Sequence, residues 1–126
     1  MAKKEFSYRG KSLEELKEMD IKDFIKLLPS RERRSLKRGV IEQGKILMRE
    51  LKKKDNVKTH CRELIILPEI VGKKVRVHNG KEFVMMIIEP EMIGNRLGDF
   101  VLTRKGVSHS SPGVGATKSS SNISVK

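Results

Sequence analysis

Between Ser30 and Gly39, five cationic side chains (Arg31, Arg33, Arg34, Lys37 and Arg38) are set against one acid, Glu32. The chemistry open to such a cluster is phosphate binding, because a planar guanidinium can hold two oxygens at once where an ammonium acts as a point charge. Lys52, Lys53, Lys54, Lys58 and Arg62 extend the same character. Residues 31–62 hold twelve basic and four acidic side chains, a net +8 out of +12 for the whole chain. A solvated charged turn would explain the first cluster alone, and cations in a helix's last turn suit its dipole without any partner. The excess over the whole stretch is too uneven for solubility and points to a polyanion, for a chain this small a nucleic acid. Arg76, His78, Asn79, Lys81, Arg96, Arg104 and Lys105 complete the candidate contacts.

Other chemistry finds little support. His60 and Cys61 are adjacent and so point in different directions, and no second pair stands at ligand spacing, which argues against a metal site. Cys61 is the only cysteine, so it reads as a packed thiol in a reducing compartment. No carboxylate, nucleophile and base fall at spacings that would bring them together, so an enzyme, an RNA-cleaving one included, is not expected. Gly113 to Ser119 loosely suggests a phosphate loop, but Thr117 stands where a glycine should precede Lys118, and no buried strand leads in. No cofactor and no small-molecule substrate are expected. The longest apolar runs fall well short of a membrane span, and residues 1–12 are too polar for a signal peptide, so the reading is cytoplasmic, with no membrane partner.

A chain of 126 residues supports one modest core, built here on Leu, Ile, Val and Met since aromatics make up only 4%. Residues 1–11 read as a short, charged, mobile lead. Ser12 with Glu15 has the pattern of a capping box, and Asp20 can cap a second short helix whose apolar face is Phe24, Ile25, Leu27 and Leu28. That amphipathic arm reads either as a small helical subdomain or as a protein-binding face. Val40, Gly44, Leu47, Met48 and Leu51 recur at helical spacing, predicting the one long helix over residues 40–53. Three strands are expected: Leu64 to Leu67, alternating Lys74 to His78, and the apolar run Phe83 to Ile88, buried on both faces or covered on one. Asn79-Gly80 predicts a tight hairpin turn with positive φ at both central positions. Pro90 to Gly94 allows one helical turn, and Asn95 to Arg104 reads as a loop that contacts nucleic-acid backbone. The expected fold is α+β: a small three-stranded sheet packed with one main helix over residues 31–105, an N-terminal helical arm over 1–30, and an extended basic tail over 106–126.

Asn79-Gly80-Lys81, Ile88, Ile93-Gly94, Leu97-Gly98-Asp99-Phe100 and Thr103-Arg104 together resemble the signature of the small-subunit ribosomal protein S19 family. Arg34 to Gly39 resembles the opening of its bacterial members, and Lys58 to Arg62 with Pro68 to Gly72 their middle. The resemblance spans roughly residues 31–118, while residues 1–30 and Ser111 to Ser120 look like additions found in archaeal and eukaryotic members. Those members usually finish with an aromatic, a proline and a basic residue; Ser121 to Lys126 has neither aromatic nor proline. The resemblance implies a structural constituent bound to 16S-type rRNA in the head of the small subunit, beside small-subunit ribosomal protein number thirteen. It also implies a tail reaching towards the tRNA decoding region, where His109 and Lys118 can meet phosphates and Gly113 and Gly115 permit close approach. The rival from another class is a regulator binding DNA or RNA outside the ribosome. A DNA-binding one needs a recognition helix and usually a dimer, whereas these cations are spread over helix, loops and tail.

Overall fold

The computed structural model describes residues 3–110 and 113. The chain opens with a two-stranded antiparallel hairpin, β1 (Ser7–Tyr8) and β2 (Lys11–Ser12). Its turn holds positive φ at both Arg9 (51°) and Gly10 (80°). The mobile lead expected for this stretch is therefore corrected over its second half. Helix α1 (Leu13–Glu18) carries the expected capping box: the Ser12 N–H donates to Glu15 Oε2 at 2.9 Å and the Glu15 N–H to Ser12 Oγ at 3.4 Å. Asp20 does stand at the N-cap of α2 (Ile21–Leu27), but its side chain makes no capping bond. The apolar face of this arm is spent inside the molecule, because Leu16, Phe24 and Leu28 pack with Ile65, Leu67 and Ile93 in one buried cluster.

Helix α3 (Ser30–Lys37) takes the cationic stretch, and α4 (Glu42–Lys53) begins two residues later than the periodicity suggests. Val40 lies outside α4 but packs over it: a Cβ on Gly44 would stand 2.9 Å from Val40 Cγ1, so a larger residue there would have to push Val40 aside. The sheet runs β3 (Val57–Thr59), β4 (Lys74–His78), β5 (Phe83–Ile87), with β3 parallel and β5 antiparallel to β4. Its inner face, with Val75, Val77 and Met86, is covered by Leu47 and Leu51 of α4 and closed by Leu97 and Val101.

One expected strand is absent. Leu64 to Leu67 is fully buried yet forms no strand; its only β pairing among the described residues is a single bridge from Ile65 to Arg96. Its partner segment is bent by 3-10 turns at Pro90–Met92 and Leu97–Phe100, and Pro68 ends the run. Short bonds still satisfy the backbone, with the Ile66 N–H on Asn95 O at 2.8 Å and the Gly94 N–H on Ile66 O at 3.1 Å. The third strand is Val57–Thr59, too short to leave a periodic signal. Of the two alternatives for the apolar run, Phe83–Ile87 takes the second and is covered on one face: Met85 is 56% and Ile87 50% exposed, since α4 covers one side only.

The hairpin between β4 and β5 is also wider than expected. His78 pairs with Phe83, leaving four residues in the loop, and only Gly80 has positive φ, at 102°. Asn79 holds the turn through its side chain, whose Oδ1 accepts the N–H groups of Lys81 at 2.9 Å and Glu82 at 2.8 Å. Gly94 also has positive φ (86°), but a Cβ there would lie 2.8 Å from the Tyr8 hydroxyl, whereas nothing lies within 4 Å of one on Gly80. Gly80→Val should therefore cost about 1–3 kcal/mol from backbone strain alone. Gly94→Val should cost more, because it also drives the N-terminal hairpin off the core. Equal melting temperatures for the two variants would disprove the Tyr8 contact.

Asp55 latches β3 to β4. Its Oδ1 accepts the Lys74 N–H at 2.8 Å, while Asn56, at φ 63°, donates its own N–H to Lys74 O at 3.0 Å. The bond from the Lys74 N–H holds the Asp55 carboxyl below its ordinary value of 3.8; desolvation opposes this, and the Asn56 N–H and the charges of Lys74 and Lys73 reinforce it. A carboxyl lowered on folding stabilises the fold above its unfolded pKa and loses that effect as pH falls through its folded one. Asp55→Ala should thus melt below the parent at neutral pH, with the gap narrowing once pH drops under 3.8. A gap that stays constant down to strongly acid pH would refute the latch.

Candidate nucleic-acid interface

The cations fall into two groups according to what already holds them. In the first, three arginines are tied into the fold. Arg62 donates from Nη1 to His78 O (2.8 Å) and from Nη2 to Gly98 O (3.0 Å) and Val101 O (2.6 Å). Gly98 is what lets the loop approach this close, since a Cβ there would meet the Arg62 carbonyl at 3.1 Å. Arg96 donates to Glu63 O at 3.2 Å and Ser35 Oγ at 2.9 Å, and its Nε lies 3.9 Å from Glu32, so it staples α3 to the loops. Arg33 Nη2 donates to the carbonyls of Lys26 (2.9 Å) and Leu28 (3.1 Å), which end α2; its buried Nε has no partner among the described residues. Their place in the fold is explained without RNA.

The second group is open. Arg31, Arg34, Lys37 and Arg38 are exposed on and just after α3, and no ion pair reaches them among the described residues. Arg34, Lys37 and Arg38 are three and four residues apart, hence neighbours on one helix face. Lys53 and Lys54 are exposed at the end of α4, with Lys52 3.7 Å from Glu69 in an exposed pair that contributes little. On the outer face of the sheet, register places Lys58 beside Arg76, whose Nε donates to Asn56 Oδ1 at 3.0 Å, and Arg76 beside Met85. Lys58 Nζ lies 5.5 Å above the Phe83 ring, a cation–π distance. His78 Nδ1 accepts the Gly80 N–H at 3.0 Å, which leaves its Nε2 as the N–H donor. Lys81 is exposed in the hairpin loop, and Arg104, Lys105 and His109 in the irregular stretch beyond the core. Gly113 is exposed; Gly115 and Lys118 lie outside the described residues.

Residues 34–109 match the family model described as Ribosomal protein S19, more than half of the chain. The chain belongs to the ribosomal protein S19 family. It is accordingly a structural ribosomal protein of the small subunit, a ribonucleoprotein component of translation that binds rRNA, and the family is generally non-enzymatic. The match opens within α3 and runs through α4 and the sheet, so it takes in most of the open cations; the N-terminal arm lies outside it although it packs on the same core. Among the described residues no helix is long and apolar enough to cross a membrane.

One group was missed by reasoning from the sequence. His60 forms a ring cluster with His78 (centroids 4.4 Å apart) and Phe83 (5.1 Å) at the hairpin end of the sheet's outer face. Once Thr59 is paired with Val77, the next residue falls beside His78, so knowing the β3–β4 register would have revealed it.

Proposed function

We infer that the chain docks on 16S-type rRNA in the head of the small subunit, beside small-subunit ribosomal protein number thirteen, as a cytoplasmic protein of the archaeal or eukaryotic type. Family membership supports the partner class, and one observation supports the contact surface: the exposed, unpaired cationic ridge of Arg31, Arg34, Lys37 and Arg38. Like charges crowded on one short helix repel one another, so phosphates gain by settling there. Lys53, Lys54, Lys58, Arg76, His78, Asn79 and Lys81 extend the contact, with Lys52 at its margin. The stretch from Arg104 on leads towards bound tRNA in the decoding region, with His109 and Lys118 meeting phosphates and Gly113 and Gly115 allowing close approach.

The tail serves after docking. Removing residues 106–126 should leave the melting temperature and rRNA docking nearly unchanged, because Gly106 to Ser110 are exposed and add nothing to the core. Small subunits reconstituted with the shortened chain should bind tRNA more weakly. Unimpaired tRNA binding, or a melting temperature several degrees lower, would overturn the assignment. Failure of the full chain to cofractionate with small subunits would overturn the docking itself.

A further inference from the structure

The molecule's open cations account for phosphate contacts, but one hollow beside them is of another kind. It lies between the start of α4 and residues 60–63, with a volume of about 630 Å³, inside the ~300–1,000 Å³ range of small-ligand clefts. One wall is apolar: Ile41 and Ile46 are 50% and 48% exposed. Another is His60, which backs onto the rings of His78 and Phe83 and is itself exposed. The remaining polar side chains are Glu42, Gln43, Glu63 and Arg62, the last with both its Nη groups already given to backbone carbonyls, in a chain of net charge +12. Glu42 is explained by its place in the first turn of α4. The Glu63 carboxylate is not: among the described residues it makes no hydrogen bond or ion pair, and only its backbone carbonyl is used, by Arg96.

Carboxylates repel phosphate, and the one cation of the lining, Arg62, is spent on the fold, so this hollow does not suit the nucleic-acid backbone. They do accept from the N–H groups of a nucleobase edge, and an aromatic ring facing aliphatic side chains is a platform for a base face. Arg38 of the cationic ridge borders the adjoining hollow together with Ile41 and Glu63, so an RNA strand held by that ridge passes the opening.

Resting on the rRNA-binding reading, we propose that this hollow receives a single unpaired nucleobase, stacked between His60 and Ile41/Ile46, and that Glu63 selects guanine. Guanine presents N1–H and N2–H side by side, matching the two oxygens of one carboxylate. Uracil offers one N–H flanked by two carbonyls, which the carboxylate repels.

The test uses the full chain and labelled uridine oligomers carrying one central guanine, adenine, cytosine or uracil, titrated by anisotropy at several salt concentrations. The guanine oligomer should bind about 10-fold tighter than the all-uridine one, and His60→Ala should remove that margin without changing the salt slope, as loss of one stacked base does. His60→Phe should keep the margin. Glu63→Gln, an exposed change that leaves the fold alone, should lose guanine preference while retaining stacking. Equal binding of guanine and uracil oligomers by the parent, or an undiminished margin in His60→Ala, would overturn the proposal. The rRNA-binding reading fails separately, if the parent's affinity for every oligomer is flat in salt.

Discussion

Arg62→Ala should lower the melting temperature by roughly 12 °C or more. The side chain donates to three carbonyls, those of His78, Gly98 and Val101, joining the end of β4 to the loop that closes the core. Bonds from a charged donor contribute about 1.5–3 kcal/mol each, and three from one group are not additive, which gives a loss on the order of 3–5 kcal/mol. At about 4–8 °C per kcal/mol for a domain near 100 residues, the change is large and easily read. Arg62→Lys should recover little, because an ammonium has no fork to span three acceptors. In whatever fraction stays folded, the salt dependence of RNA binding should be that of the parent. A variant that melts within a degree or two of the parent, but whose log-log salt slope falls by about 0.7–0.9, would return Arg62 to the phosphate contacts.

The opposite pattern is expected for Arg34, Lys37 and Arg38 replaced together by alanine. Three phosphate contacts account for about 2–3 units of the log-log salt slope, and their loss should weaken rRNA binding by roughly 100-fold at low salt. Stability should hold or rise slightly, since alanine favours helix and the substitutions relieve repulsion between cations on one face of α3. The circular-dichroism spectrum and melting curve of this variant decide the matter: unfolding would make the ridge structural, and an unchanged salt slope would remove it from the interface.

These two variants mark how far the sequence could be read. The charge excess over residues 31–62, the Ser12–Glu15 box, the long amphipathic helix and the alternation of Lys74 to His78 are local properties, set by residue types a few positions apart, and each is found in the structure. The signature from Asn79 to Arg104 carried the family. In the same string, however, Arg62 and Arg34 look alike, and both read as RNA contacts. What separates them is which carbonyls the fold brings within 3 Å, a relation across 36 and 39 residues that no window registers.

The sheet's membership was hidden for a related reason. Leu64 to Leu67 is apolar because two buried clusters meet there, and burial without alternation does not distinguish a strand from a buried loop held by the bends at Pro90 and Leu97. Val57–Thr59 is too short to declare itself, and only its parallel pairing with β4 makes it a strand. Whether the apolar face of the N-terminal arm served this chain or another was equally undetermined until Ile65, Leu67 and Ile93 were found against it. The sequence by itself determined the partner class and the local elements, since charge and periodicity belong to neighbouring residues. Tertiary structure alone decided which guanidiniums are tied into the fold and which stay open, because that depends on acceptors that folding brings to them.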